Sequence, residues 1–376
     1  MNKRPDDYYY FERMKFHLGG NLDCVFNGKL VYPRQLEVHL PGDGKERCNF
    51  RCAWCQGSQL EQPLGDWEET GLRLLDKLEG RIPYHIYGGA YTEPMMNPYI
   101  MDYLRMTKKH GAYFGIHTNG SQLLKLEKEH GALQEMCHIA TPKWKLGFIY
   151  PNDYLSISLD AGFPESHMKA KGLKENRFDE IIEGIRLLAK YRGDRDFPAI
   201  RIVYLLNKFN SSPEEIENIV RLGEEIGVDS IRFSIPYDVY GKDFEEVRRY
   251  KQNVELRNEQ PFYKIISLYI QDKKPTIFWT SPDQQDVDRM SYRQCIYSYF
   301  QITLAADGWV YRCSSTASPS FKFCRLGEIT DDLEAFNRLV VANHNPRWKP
   351  ETCFRAGARC NRQALSINTE WEKMYV

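Results

Sequence analysis

Three thiols could do chemistry together. Cys48, Cys52 and Cys55 lie in the octapeptide Cys48-Asn49-Phe50-Arg51-Cys52-Ala53-Trp54-Cys55. That spacing lets them converge on one iron–sulfur cluster and leaves its fourth corner without a protein ligand. An iron with a vacant coordination place can hold a small molecule through an amine and a carboxylate, so electron delivery and activation of a bound molecule meet at one point. A zinc site, or three unrelated buried thiols, is the plainer use of the same residues.

A second set of cysteines follows late in the chain. Tyr299 to Leu304 and Trp309 to Cys313 are apolar runs separated by Asp307-Gly308, a hairpin signal that brings the segments carrying Cys295 and Cys313 together. Cys353 and Cys360 could close the other half of a metal site. Cys24, Cys137 and Cys324 remain, and the default reading of a free cysteine is a small buried hydrophobe.

The elements that must position these residues follow from pattern. Gln35 to Leu40 alternates apolar and polar residues and feeds directly into the first cysteine loop. Beyond it, extended runs at His85–Tyr87, Tyr113–His117, Tyr154–Leu159, Ile200–Leu205 and Ser230–Ser234 alternate with helical ones. The helices are expected over Asp66–Leu78, with Asp66 as N-cap, and over Met95–Lys109, Ser121–His130, Arg177–Tyr191 and Pro213–Ile226. Six strands alternating with helices predict an α/β fold, a partial (β/α)6 TIM-like barrel, with a small C-terminal domain containing a β-hairpin. Four parts are expected: a capping segment over 1–34, the barrel over 35–240, a charged helical connection over 241–294 and the cysteine-bearing C-terminal domain over 295–376.

In parallel barrels the loops at the C-terminal strand ends carry the chemistry, and the remaining motifs fall there. Gly88-Gly89-Ala90-Tyr91-Thr92-Glu93-Pro94 follows the second strand, and its glycines let backbone approach a ligand. As structure alone, the same stretch is a strand-to-helix turn with Pro94 opening the helix. His117-Thr118-Asn119-Gly120 ends the third strand and is a turn signal in its own right. On the fourth strand Ser156, Ser158 and Asp160 share one face, a polar line that needs partners inside a barrel. Asn207, after the fifth strand, is a weaker candidate of the same kind.

The cysteine spacing and its setting resemble the radical SAM superfamily. That resemblance implies a 4Fe-4S cluster on Cys48, Cys52 and Cys55, with S-adenosylmethionine on the open iron and Trp54 as the aromatic residue beside the last cysteine. Gly88, Gly89 and Glu93 resemble the G-G-E-P element that binds the amino group of S-adenosylmethionine, although three residues separate the glycine pair from Glu93-Pro94. The Thr118-Asn119-Gly120 turn resembles one that frames the cofactor pocket. Ser158, Asp160 and Asn207 are implied to meet the ribose or the methionine carboxylate. The order of the late cysteines resembles the SPASM and Twitch extensions. It implies one auxiliary iron–sulfur cluster, of 4Fe-4S type, on Cys295, Cys313, Cys353 and Cys360, with Cys324 able to replace one of them. By analogy with radical SAM epimerases, Cys324 is also a candidate hydrogen-atom donor.

The implied reaction is reductive cleavage of S-adenosylmethionine to a 5'-deoxyadenosyl radical that takes hydrogen from a substrate, fed by a flavodoxin or ferredoxin-type electron donor. The expected substrate is a small molecule, a carbohydrate, aminoglycoside or related natural-product intermediate that is dehydrogenated, dehydrated or epimerised. The expected lack of an N-terminal peptide-recognition domain supports that choice. Maturation of a ribosomal peptide is the alternative, and an iron–sulfur scaffold or electron carrier is the reading outside enzymology. The 51 basic and 51 acidic residues cancel, giving no electrostatic reason for nucleic acid or an anionic membrane as partner. With no apolar run of about 18 residues and no signal-peptide core, a cytoplasmic protein is expected, and its ten cysteines argue for metal ligands or buried thiols over disulfides.

Overall fold

The computed structural model describes residues 27–52, 55, 64–89, 92–141, 153–234, 266, 275–279, 293–345, 348–355, 360, 364, 367–368 and 371–372. One ten-stranded sheet organises them. Its parallel strands are β1 (Gln35–Val38), β2 (Tyr84–Tyr87), β3 (Tyr113–Thr118), β4 (Tyr154–Ser158), β5 (Ala199–Leu205) and β6 (Ser230–Ser234), each hydrogen-bonded to the next. A further parallel strand, β7 (Thr276–Trp279), pairs with β6 and falls inside the stretch expected to be a helical connection.

At the other edge β8 (Gln301–Leu304) lies parallel to β1, with Gln35 opposite Gln301 and Val38 opposite Leu304. It turns back through Asp307-Gly308 into β9 (Trp309–Tyr311), and β10 (Arg325–Glu328) pairs antiparallel with β9. The hairpin is therefore a continuation of the barrel sheet, so strand pairing runs across the boundary expected at residue 295.

Alternation along each strand sets two faces. Leu36, Val38, Phe114, Ile116, Leu155, Ile157, Ile200, Ile202, Ile231 and Phe233 are buried toward the covering helices. Fully burying such side chains contributes about 1.5–3 kcal/mol each. The helices are α1 (Glu68–Leu78), α2 (Ile100–Lys109), α3 (Leu123–His130), α4 (Ala132–Ile139), α5 (Pro164–Lys171), α6 (Phe178–Arg192), α7 (Pro213–Ile226), α8 (Leu333–Asn343) and α9 (Pro350–Arg355).

Two helix starts differ from expectation. Trp67, not Asp66, is the N-cap of α1, and its amide donates to the Glu68 carboxylate at 3.0 Å. The helix expected from Met95 is split into a 3-10 turn over Pro94–Met96 and then α2. Pro98 disfavours helical backbone at Asn97, which is extended. The Asn97 side chain ties the break to Pro41 O at 2.7 Å and to Glu68 at 3.0 Å.

Candidate active site at the barrel mouth

The loop after β1 carries Cys48, Cys52 and Cys55, and three β/α units hold it. The Glu93 amide donates to Arg47 O at 2.8 Å, tying it to the end of β2. Asn49 donates to Ser121 Oγ at 2.8 Å and accepts from Asn119 Nδ2 at 3.0 Å, tying it to the turn after β3. The Arg51 amide donates to Lys171 O at 3.0 Å, tying it to α5. Phe50 is buried beneath the loop, edge-on to His167 with ring centroids 5.9 Å apart. A backbone bond from Cys55 N to Cys52 O at 2.9 Å closes the last turn.

The three thiols share one electrostatic environment. Cys48 is pushed up to about 12, chiefly by burial and then by Glu93, with Cys55 adding to it. Cys52 is also pushed up to about 12 by burial, opposed by Lys171 and reinforced by Cys55, Asp160 and Cys48. Crowded buried thiolates are costly unless cations accompany them, and iron supplies those cations. Phe50 N at 3.4 Å and Asn119 Nδ2 at 3.5 Å point hydrogen-bond donors at Cys48 Sγ, as suits a ligating thiolate. No three His, Cys, Asp or Glu side chains among the described residues gather around a point suited to a single ion. A cubane cluster takes its thiolates at separate corners, so three converging thiols can serve as ligands to three of its irons.

Glu93 is the carboxylate beside this loop. It is buried and accepts from Asn119 N at 2.6 Å, Thr118 Oγ1 at 2.5 Å and Met95 N at 3.1 Å. Burial raises it to about 7 against the pull of those donors. The Asn119 side chain, besides its bonds to the cysteine loop, accepts from Ser121 N at 2.8 Å. The sequence elements around Glu93 and Thr118-Asn119-Gly120 thus form one hydrogen-bonded unit against Cys48.

Gly88 and Gly89 each sit where packing leaves no room for a side chain. Gly88 has φ +150°, and a Cβ there would lie 2.7 Å from His117 Cβ. A Cβ on Gly89 would lie 2.5 Å from the His39 ring. Both oxygens of Asp160 are engaged internally. Oδ1 accepts from Leu205 N at 2.6 Å and Oδ2 from Lys171 Nζ at 2.5 Å, on a residue with φ +56°. Asn207 shapes its own turn, donating to Leu205 O at 3.0 Å and accepting from Phe209 N at 2.9 Å. Ser158 ends β4 half-buried. Trp54 lies outside the described residues.

The later thiols come together behind the hairpin. Cys324 and Cys353 are hydrogen-bonded to each other, which raises Cys324 well above the thiol range and holds Cys353 below it, helped by Trp348 and Arg312. Cys313 is pushed up to about 12 by burial, with Cys353 and Cys295 beside it. Cys295 is raised by burial and by Cys353. Cys324 is fully buried among Tyr311, Phe321 and Trp348, beside the other late thiols. Cys360 packs against the adjoining core with Cys295 and Cys313. Cys137 is buried in the barrel core, and its thiol lies 3.7 Å from Leu188 O.

A family model described as the radical SAM superfamily matches residues 45–209, from the cysteine loop to the turn after β5. The chain contains a radical SAM domain. Over 80 residues it is 40% identical to the tungsten-containing aldehyde ferredoxin oxidoreductase cofactor-modifying protein of Pyrococcus furiosus, a stretch that is 20% of this chain and 22% of that protein. Among solved structures, Streptococcus suis SuiB bound to S-adenosylmethionine aligns over 94% of this chain and 76% of its own, with a TM-score of 0.57 at 16% identity. The structure of anSMEcpe with bound AdoMet and Cp18Cys peptide aligns over 88% of this chain and 90% of its own, with a TM-score of 0.55 at 16% identity. At these identities the alignments show that the radical SAM domain and its C-terminal continuation share a fold with those proteins. Among the described residues no helix is long and apolar enough to cross a membrane.

Sequence reasoning missed two charged residues that face the barrel lumen. Arg201 and Arg232 each stand between two apolar residues in the middle of a strand, Ile200 and Ile202 or Ile231 and Phe233. A charge in that position on a helix-covered parallel strand has to point into the lumen, and this was the available signal. Lys171, which joins Asp160 to the surroundings of Cys52, carried no comparable mark.

Proposed function

We propose that the protein is a radical SAM enzyme that reductively cleaves S-adenosylmethionine at the Cys48–Cys52–Cys55 loop and directs hydrogen abstraction at a substrate held in the barrel lumen. The observation that carries this reading is the single hydrogen-bonded unit of cysteine loop, Glu93 and Asn119. Bound there, a 4Fe-4S cluster and S-adenosylmethionine supply one-electron cleavage of a sulfonium to methionine and a 5'-deoxyadenosyl radical. Glu93, fixed by three donors, would use a remaining lone pair to hold a cationic amine. Asn119 and the Phe50 amide temper the Cys48 thiolate. The Lys171–Asp160 ion pair places an ammonium beside Cys52 and anchors α5 to β5. Phe50 and His167 keep water from the underside of the loop.

For the later thiols we propose one auxiliary cluster drawn from Cys295, Cys313, Cys324, Cys353 and Cys360. The support is their proximity: Cys324 is hydrogen-bonded to Cys353, Cys353 lies beside Cys295 and Cys313, and Cys360 packs on the same core as those two. One substrate reading is the small molecule expected from sequence, a carbohydrate or natural-product intermediate. A peptide is the second, favoured by the peptide-bound relative whose fold covers nearly all of this chain. A change in the electron paramagnetic resonance spectrum of the reduced, reconstituted protein on adding S-adenosylmethionine tests the proposal. An unchanged spectrum in protein with full iron content would refute an open iron at this loop.

A further inference from the structure

The lumen between β3 and β6 holds a cluster that the cofactor site does not use. Arg201 lies opposite Ser156 on β4 and Ser230 on β6, and Arg232 lies opposite Val203 on β5. The Arg201 guanidinium sits over the Tyr154 ring, 4.0 Å from its centroid. Gly115 leaves the space this ring fills, since a Cβ there would lie 2.4 Å from it. The Tyr154 hydroxyl is 2.7 Å from His117 Nε2.

His117 reports on the space between these groups. It is the exposed residue of β3, yet burial, followed by Arg232, Arg201 and His39, lowers it to about 3. A side chain that touches solvent while surrounded by protein lines an internal cavity. Two guanidiniums border that cavity, and their neighbour is a neutral imidazole.

Among the described residues negative charge is scarce there. Among the described strands Glu37 is the one carboxylate on the lumen face, and it is already held by His39 Nε2 at 2.8 Å and Gln301 Nε2 at 2.5 Å. Among the described residues no carboxylate pairs with Arg232, and its Nε is buried without a hydrogen-bond partner. A guanidinium presents donors in a fixed fork that matches an oxyanion, and a buried unpaired donor is costly.

We infer that the lumen accepts a substrate bearing an oxyanion, a carboxylate or a phosphate, gripped by Arg232 with Arg201 alongside. The subsite lies two residues along the chain from Asn119, so an anchored substrate extends toward the cysteine loop. This deepens the proposed function and rests on it. It narrows either substrate reading to an anionic member, an acidic sugar or sugar phosphate, or a peptide with an acidic side chain or a C-terminus.

Calorimetric titration of the full-length, iron-loaded protein in saturating S-adenosylmethionine tests this, using glutarate, its neutral analogue glutaramide, and inorganic phosphate. Saturable binding of glutarate or phosphate is expected, with none for glutaramide; the tighter anion identifies the source of the charge. Arg232→Gln should weaken binding at least tenfold, and Arg232→Lys, which keeps the charge and loses the fork, should fall between. Circular dichroism of both variants separates misfolding from loss of the subsite. Binding unchanged in a folded Arg232→Gln, equal binding of glutaramide, absence of binding to the parent protein, or loss of binding when S-adenosylmethionine is added would each overturn the inference. The last outcome would assign the arginines to the cofactor's own carboxylate. Formation of 5'-deoxyadenosine by the same preparation is read separately, so anion binding without it would sink the radical reading and leave the subsite standing.

Discussion

The two groups of thiols differ in what surrounds them. At the barrel mouth Cys48, Cys52 and Cys55 share their pocket with a buried carboxylate, Glu93, and a buried ammonium, Lys171. Behind the hairpin Cys295, Cys313, Cys324 and Cys353 all act on one cation, Arg312, whose guanidinium stacks on Trp348 at 4.2 Å. Three sulfurs beside a carboxylate leave a coordination place and a partner for a cationic ligand. Under the proposed reading the rear group has sulfurs enough to fill a cluster's corners, with a guanidinium to offset part of its charge. Among the described residues the buried carboxylate beside the mouth thiols is what the rear group lacks.

The sharpest way to break this comparison is to remove one sulfur from each group. Cys52→Ala is expected to abolish 5'-deoxyadenosine formation, measured by chromatography of the acid-quenched reaction, while the rear group keeps its iron. Cys353→Ala is expected to lower total iron by roughly half, one of two equal clusters, and to leave the spectral response to S-adenosylmethionine in place. Loss of that response in Cys353→Ala would show that the two regions do not load independently.

Gly89→Ala probes whether the glycine pair serves packing. The added Cβ meets the His39 ring at 2.5 Å, so a loss of about 1–3 kcal/mol in chemical denaturation is expected. An unchanged midpoint would return Gly89 to the ligand role implied by the sequence.

The smallest effect concerns acid. His85 is lowered to about 4 and His167 to about 3, both mainly by burial. The unfolded chain therefore binds more protons at these positions between those values and about 6.5, so stability falls as pH drops through 6.5. Glu93, raised to about 7, works in the opposite sense between 7 and its ordinary 4.5. With His117, also lowered to about 3, three histidines oppose one carboxyl, so a net loss of stability is expected from pH 7 to pH 5. His167→Phe, which keeps a ring against Phe50, should make that slope shallower in thermal melts.

The barrel was legible because its strands obey two simple rules, apolar residues toward the helices and turn residues at the strand ends. The cysteine loop was legible because its three thiols are local in sequence. What was not legible depends on long-range register. The pairing of β8 with β1 joins residues far apart in the chain, and nothing in Gln301–Leu304 names its partner. The short strand β7 lies in a charged stretch whose composition resembles a connection. Asp160 and Asn207 read as ligand candidates because polar groups at strand ends often are, and their bonds to Leu205 backbone, which also position them, depend on contacts the sequence does not display. Cys324 carried no spacing cue, and its place beside Cys353 follows from how β10 returns against β9.

The central claim is an open iron at Cys48, Cys52 and Cys55, and the most direct measurement is the product of S-adenosylmethionine with the iron-loaded protein under dithionite. The account predicts 5'-deoxyadenosine and methionine in equal amounts, absent when dithionite is left out. Intact S-adenosylmethionine after incubation with fully loaded, reduced protein would contradict it.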